Sequence, residues 1–344
     1  MDLRDPRWLP LSYEARGDSF LFASVDLDLL GQAAFLDQRL TDVWQRSVAV
    51  SAADAGVADS ATEPAWLFHT AFCCSTLLAR ALHAPPDAVA LKEPQVLLDL
   101  TRLSLDESLL APGLLEHRLL DAVRLLGRPW KPGGRILIKP TNAVNRLLPN
   151  LLAAAPASRA LLLFGGLEDF LLSCVKKLPG AEEPMRWMAQ YLLPGTRLQK
   201  LLGIPEGHRF NFVESCVLTW HAQIERYSDA LAADSNDRLR SLDMQVLLAQ
   251  PMAVVQACAG WLGLDNPASA QGREARVEQV FSRNSKQTDA AYGPERRAAE
   301  RVAIMARYGE LVNAALAWSD NAIAPHTRQP GDWKPLPVPG AAMR

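Results

Sequence analysis

From position 64 onward, short apolar runs alternate with stretches whose apolar residues recur at helical spacing. This is the pattern of βαβ units and of a parallel sheet buried on both faces. The runs predict strands over Trp66 to His69, Val89 to Lys92, Arg135 to Lys139, Arg159 to Phe164 and Leu239 to Met244. After the first run, Ser75 to Leu82 reads as a helix with Leu78 and Leu82 on one face. Residues 184 to 232 read as mainly helical, with a long helix through Trp220 to Tyr227. Pro251 opens a further helix whose stripe of Val254, Val255, Cys258, Trp261 and Leu262 stops at Gly263. A polar segment, Phe281 to Thr288, leads to a last amphipathic helix from about Pro294 to Trp318, and the proline-rich stretch Pro325 to Pro339 reads as surface coil.

Ahead of the alternating region, residues 1–60 contain one strand-like run, Ser19 to Val25, and an alanine-rich linker, Ser51 to Gly56. They read as an N-terminal extension before a domain over 61–290, with a helical insertion at about 181–232 and a final helix and tail over 291–344. A chain of 344 residues fits either one elaborated α/β domain or a domain with a helical lobe. With 49% hydrophobic and 22% charged residues it can bury a substantial core.

A formal net charge of −2 gives no general attraction to nucleic acid or anionic membranes, so neither is an expected partner. No apolar run approaches the roughly 20 residues that span a bilayer. The N-terminus, Met1 to Trp8, lacks the basic start and apolar core of an export signal. Five cysteines at irregular spacing form no disulfide framework, and a reducing cytoplasm is the expected location.

Ligands of parallel sheets sit outside the carboxyl ends of the strands. Four turns gather there: Thr70 to Thr76, Lys92-Glu93-Pro94, Lys139-Pro140-Thr141-Asn142, and Gly165 to Asp169 with Ser173 beyond it. The first runs from a strand through small residues into a helix that opens on hydroxyls, so its amides and helix N-terminus suit an anion. The two glycines and Lys-Ser or Lys-Thr of an ATP-binding loop are missing, and ATP is not its obvious guest. Lys139 is the candidate cation for the site, and Glu93 the candidate base for an acceptor hydroxyl. Each has a plainer reading: a strand, turn and helix without phosphate, a solvated strand end, a surface lysine. His69 is either a structural group at a strand end or a ligand contact. The adjacent Cys73 and Cys74 do not have metal-loop spacing, and no metal is expected. They suit compact bulk beside a ligand, or a thiol activated by the helix N-terminus. Lys176 and Lys177 suit the basic finish of a helix or a ligand contact equally well.

Together these blocks resemble the P-loop sulfotransferase family, in particular its bacterial sulfotransferase-like members, over roughly residues 64–288. Cys73-Cys74-Ser75-Thr76-Leu77-Leu78 is similar to the end of that family's 5′-phosphosulfate loop. Lys139-Pro140-Thr141-Asn142, followed by Leu147, Leu148 and Pro156, is similar to its lysine-threonine-proline-asparagine block. Leu161 to Ser173 resembles the strand and helix that bind the 3′-phosphate, and Leu247 to Leu264 the late closing helix.

The resemblance implies a P-loop NTPase-like three-layer α/β sandwich with a central parallel sheet and an added helical region. It implies 3′-phosphoadenosine 5′-phosphosulfate (PAPS) as donor and a small-molecule, glycan or peptide hydroxyl or amine as acceptor. Its site would comprise Ala71, Phe72, Cys73, Cys74, Ser75 and Thr76 on the donor, Ser173 on its 3′-phosphate, and Glu93, Lys139 and His69 at the chemistry. Apolar helices in 95–130 and 181–232 would shape the acceptor pocket, and the long helical segments would suit a homodimer.

The sequence departs from the family at three points. Phe72 stands where the loop usually has a basic residue, Cys74 where it has glycine, and Gly165 where an arginine grips the 3′-phosphate. That last contact is of the charge-assisted kind, worth roughly 1.5–3 kcal/mol. Lys176, Lys177, Arg283 and Lys286 are the candidates to replace it. Gly331-Asp332-Trp333-Lys334 resembles a C-terminal nucleotide-loop motif, but without its upstream basic residues it reads as coincidence. Two further readings stand beside the enzyme: a binding protein on the same frame, motivated by Phe72 and Gly165, and a P-loop kinase, which the sequence supports less.

Overall fold

The computed structural model describes residues 1–55, 62–106, 108–109, 111–205, 207–283, 293–330 and 333–340. In chain order these form β1 (Trp8–Glu14), β2 (Ser19–Ser24), α1 (Leu27–Gln32), α2 (Thr41–Gln45), β3 (Val48–Ser51), β4 (Ala65–His69), α3 (Ser75–Leu82), β5 (Ala88–Lys92), α4 (Gln95–Leu103), α5 (Leu114–Leu126) and β6 (Arg135–Lys139). A 3₁₀ segment, Asn142–Leu147, leads into α6 (Leu148–Ala154), followed by β7 (Ala160–Phe164), α7 (Leu167–Val175), α8 (Glu182–Leu192), α9 (Arg197–Leu201), α10 (Phe212–Ala233) and β8 (Leu239–Asp243). The chain ends through α11 (Met244–Ala249), α12 (Pro251–Trp261), α13 (Pro267–Ala270), α14 (Arg273–Phe281) and α15 (Pro294–Ala322).

The five expected strands form one parallel sheet in the order β5-β6-β4-β7-β8. Strand alternation divides its side chains between two cores. Trp66, Phe68, Val89, Leu91, Ile136, Ile138 and Leu162 share a core with α4, α5 and α6. Ala65, Leu67, Ala88, Ala90, Leu137, Leu161 and Leu163 face α3, α11 and α12. The result is a three-layer α/β sandwich. A third apolar cluster joins α7, α8, α10 and α15 beyond the carboxyl edge of β7. Between 184 and 232, the described residues hold helices and connections with no strand, as the pattern predicts. The long helix runs over Phe212–Ala233, opened by Asn211 and Glu214 in a reciprocal capping box.

The N-terminal segment differs from its expected single strand. β1, β2 and β3 make an antiparallel sheet, whose Leu9, Leu11, Tyr13, Phe20 and Phe22 are buried in the same core as Val89 and Leu91. The periodicity of β1 is blurred because Pro10 lies at a register shift. Ala52 and Ala55, in the stretch expected to be a linker, are also buried. Burying each large apolar side chain contributes about 1.5–3 kcal/mol, so this segment is integral to the core it covers.

The tail is not surface coil throughout. The Ser241 amide donates to the Lys334 carbonyl and the Leu336 amide to the Ser241 carbonyl, both at 2.8 Å, so the tail pairs along the edge of β8 and covers it. Leu336 and Val338 are buried. Trp333 lies 5.0 Å from the Phe164 ring, and its indole N–H donates to Ser228 Oγ at 3.0 Å. This places Trp333 in packing; Gly331 and Asp332 of that segment lie outside the described residues. Among the described residues, no helix is long and apolar enough to cross a membrane.

Candidate functional site

β4 is the centre of the sheet, and the chain leaves it toward β5 on one side while the later strands β7 and β8 lie on the other. The crevice outside β4 and β7 is therefore the switch point where α/β sheets take ligands. The turn from Thr70 to Cys74 fills this position. Ala71, Phe72 and Cys74 adopt φ of 67°, 53° and 63°, a left-handed conformation unusual for residues with a Cβ. Such residues cost of order 1–3 kcal/mol each and persist only when their surroundings fix them.

A buried amide network supplies that constraint. Asn145 Nδ2 donates to the His69 carbonyl at 3.0 Å and to Gln223 Oε1 at 3.1 Å, while Gln223 Nε2 donates to the Thr70 carbonyl at 3.3 Å. The Ala71 amide donates to His69 Nδ1 at 3.1 Å. Cys74 is the N-cap of α3 and makes no side-chain capping bond, so the first amides of that helix have no cap from it.

The cysteines of the turn are not activated thiols. Cys73 is fully buried, with its sulfur 3.6 Å from the Leu163 carbonyl, and burial raises its pKa. Burial pushes the Cys74 thiol up to about 12. The expected helix effect on the thiol is outweighed by desolvation of the thiolate. Both sulfurs serve as compact bulk. Among the described residues no group of three His, Cys, Asp or Glu side chains is placed to hold a metal.

Register explains how Glu93 and Lys139 meet. β5 and β6 pair with Lys92 opposite Lys139, so Glu93 follows at the carboxyl edge, and its amide donates to the Lys139 carbonyl at 2.6 Å. Glu93 has φ 55°, and Lys139 Nζ donates to its Oε1 at 2.5 Å. The lysine side chain is 0% exposed and the glutamate 16%. His69 Nε2 is 3.8 Å from the same Oε1. Because His69 Nδ1 accepts the Ala71 amide, a neutral ring carries its proton on Nε2, toward Glu93. Lys139 thus lies behind Glu93 instead of on the cleft wall. Neighbouring Lys92 turns away from the crevice. It is fully buried and donates to the Leu30 carbonyl at 2.5 Å, and burial lowers its pKa to about 7.

A cleft of about 850 Å³ opens over these groups. Its walls include His69, Ala71, Phe72, Cys74, Ser75, Thr76 and Glu93, together with Ser173, Lys176 and Lys177 from α7 and its C-terminal end. Lys177 Nζ sits 3.8 Å from the centre of the Phe72 ring. The position without a loop cation therefore holds an aromatic face on which a cation rests, a favourable contact of about 0.5–2 kcal/mol. At Gly165, a Cβ would meet Met244 at 3.4 Å and Cys73 at 3.6 Å. The glycine carbonyl accepts the Trp220 indole N–H at 2.9 Å. Arg283 is exposed beyond α14 and away from the cleft walls, and Lys286 lies outside the described residues.

The cleft also has residues with no counterpart among the sequence candidates, and four of them bring an aromatic ring or a cation: Phe35 and Arg39 from the N-terminal segment, and Arg297 and Arg301 from α15. The Leu36 amide donates to the Lys92 carbonyl at 2.7 Å, which fixes the first pair beside Glu93. Arg39 stacks over Phe35 at 3.6 Å and pairs with Asp37. No sequence signal marks that pair. Arg297 and Arg301 are four residues apart in the predicted helix, and that one-face spacing was the available signal. Arg301 pairs with Glu168 at 2.5 Å and Asp169 at 3.3 Å, and Lys176 with Glu300 at 2.7 Å.

The fold and site thus define an α/β protein with a cation-bearing crevice at the carboxyl edge of its sheet, next to a carboxylate held by lysine. No family model and no curated protein sequence matches the chain. Among solved structures, a sulfotransferase from Alicyclobacillus acidocaldarius is similar at 14% identity, over 73% of this chain and 96% of that one, with a TM-score of 0.39. The sulfotransferase domain from the curacin biosynthetic pathway is 15% identical over 66% of this chain and 80% of its own, with a TM-score of 0.38. Sulfotransferase STF1 from Mycobacterium tuberculosis is 16% identical over 64% and 75%, with a TM-score of 0.37. Likenesses this distant assign neither family nor chemistry.

Proposed function

We propose that this protein is a sulfotransferase that moves a sulfuryl group from PAPS to a hydroxyl or amine of a small-molecule, glycan or peptide acceptor. The observation that carries the reading is the Glu93 carboxylate, bound by buried Lys139 and adjacent to His69, facing the same cleft as the turn into α3. The ordered sequence blocks that resemble the P-loop sulfotransferases give it its donor. The uncapped amides at the start of α3 suit a phosphosulfate group, and the cleft volume lies in the range of nucleotide-sized sites.

In the reaction, Glu93 accepts the acceptor proton as the acceptor oxygen or nitrogen bonds to sulfur. The bond from sulfur to the bridging oxygen breaks, and adenosine 3′,5′-bisphosphate leaves. Lys139 and His69 both address Oε1, which leaves Oε2 for the acceptor proton. Amides of Ser75 and Thr76, together with Lys177, stabilise charge growing on the leaving phosphate. Lys139 orients the base. Ser173 contacts the nucleotide's far phosphate. The chain works in the cytoplasm, and its helical segments suit a homodimer.

A binding protein on the same frame is the second reading, favoured by the absence of a basic side chain at Phe72 and Gly165. Isothermal titration with adenosine 3′,5′-bisphosphate tests both at once. Binding in the micromolar range is expected; no heat at millimolar nucleotide overturns the donor assignment. Binding without sulfuryl transfer to any phenol, alcohol or amine in an acceptor panel favours the second reading.

A further inference from the structure

The N-terminal half of α15 lies outside the region of family resemblance, yet Arg297, Glu300, Arg301 and Ile304 line the cleft. The helix is anchored at its other end. Val312, Ala315 and Ile323 are buried in the cluster with α7 and α10, and His221 Nε2 lies 2.7 Å from Ser319 Oγ. From Glu295 to Met305, by contrast, the side chains are exposed or half-buried. Ile304, Met305 and Tyr308 of that half pack on the same apolar cluster, and towards the cleft it meets α7 through the Arg301 pairs to Glu168 and Asp169 and the Lys176–Glu300 pair. Each of these charged groups is between 27% and 48% exposed. Pairs so open to water are worth only about 0–1 kcal/mol each. Arg297 lines the same cleft as Cys74 at the mouth of the turn.

We propose that Arg297 and Arg301 bind an anionic group of the cleft's ligand, a phosphate or sulfate ester, and that Glu168 and Asp169 hold Arg301 in its place until the ligand arrives. A guanidinium binds two ester oxygens at once, and a tetrahedral ester can accept from both arginines where each carboxylate is tied to α7. The exchange costs two weak surface contacts and gains charge-assisted bonds in a more enclosed site. The missing cations at Phe72 and Gly165 are thereby supplied from a helix beyond the segments that resemble the family. The nucleotide probe used below rests on the sulfotransferase reading; the anion site does not.

The test uses the full chain and two probes, adenosine 3′,5′-bisphosphate and inorganic pyrophosphate, titrated at low salt into wild type, Arg297→Ala, Arg301→Ala and Glu168→Gln. Each arginine variant should weaken binding by roughly tenfold, the scale of one charge-assisted bond. Glu168→Gln should tighten it by roughly two- to fivefold, since it removes a competitor worth under about 1 kcal/mol. Its tightening should vanish in the Arg301→Ala background. All three positions are solvent-accessible, and unchanged thermal midpoints will confirm folding. Arginine variants that bind as wild type, or weaker binding by Glu168→Gln, overturn the inference. Nucleotide binding without arginine dependence overturns it and leaves the donor reading intact. Arginine-dependent binding of pyrophosphate alone supports it and removes the donor reading, and binding of neither probe overturns both.

Discussion

Replacing Lys139 by methionine removes the ammonium behind Glu93 while keeping nearly the same volume. Lys139 Nζ is 2.5 Å from Glu93 Oε1, with the lysine fully buried and the glutamate 16% exposed. At an effective dielectric of about 20, unit charges roughly 3 Å apart attract by about 5.5 kcal/mol. Much of that offsets the cost of taking both charges out of water. Breaking a buried pair from one side nevertheless costs about 3–5 kcal/mol, because the remaining charge stays buried. Glu93 keeps a little water and has His69 Nε2 at 3.8 Å, so the low end, about 3 kcal/mol, is expected for Lys139→Met. Glu93→Gln strands the ammonium at a site with no exposure and should cost as much or more. The double variant carries no charge and should recover most of the loss. Urea unfolding of the four proteins gives the coupling energy, expected at about 4–5 kcal/mol if each single loss is about 3 and the double loss about 1–2. Additive single losses would show that the two groups do not depend on each other, and would remove Lys139 as the group that orients the base.

Buried groups elsewhere in the fold set three more outcomes. Burial holds His221 down to about 4 and His83 to about 3, below the ordinary 6.5, so the unfolded chain protonates first on acidification. Their contribution is full above about pH 6.5 and is lost as pH falls toward those values, roughly 3 kcal/mol for His221, and His221→Gln should flatten the acid limb of a stability profile. Lys92 runs in the opposite direction. Lowered from 10.5 to about 7, it leaves the folded chain with fewer protons than the unfolded one in that window, so stability should rise from pH 7 to 10.5, and Lys92→Met should abolish the slope. Gly127→Ala should destabilise by more than about 1 kcal/mol in denaturant unfolding, because its Cβ would lie 2.4 Å from the Thr62 carbonyl oxygen and 3.0 Å from that of Val123.

The periodic segments were legible without a structure. Trp66 to His69, Val89 to Lys92 and Ser75 to Leu82 occupy their expected elements within a residue, since a buried strand or an amphipathic helix writes its environment into consecutive side chains. The N-terminal sheet was largely missed. Its strands are short, one bends at Pro10, and its burial depends on a core assembled from residues far along the chain. The tail hides its placement for the same reason: proline content argues against a regular strand, yet two bonds to Ser241 suffice to seat it on an edge.

The candidate site divides in the same way. The sequence by itself determined that Thr70 to Thr76, Glu93 and Lys139 lie at the carboxyl ends of parallel strands, because apolar periodicity fixes where each strand stops. Tertiary structure decided what those groups do for one another. Sheet order set Lys139 behind Glu93 as its partner, burial silenced the Cys74 thiol, and packing stacked Lys177 on Phe72. It also brought Arg39 and Arg301 to one cleft from opposite ends of the chain. Strand ends are local facts carried by neighbouring residues, whereas the charge and shape of a cleft depend on side chains brought together only when distant segments bury their apolar faces against one another.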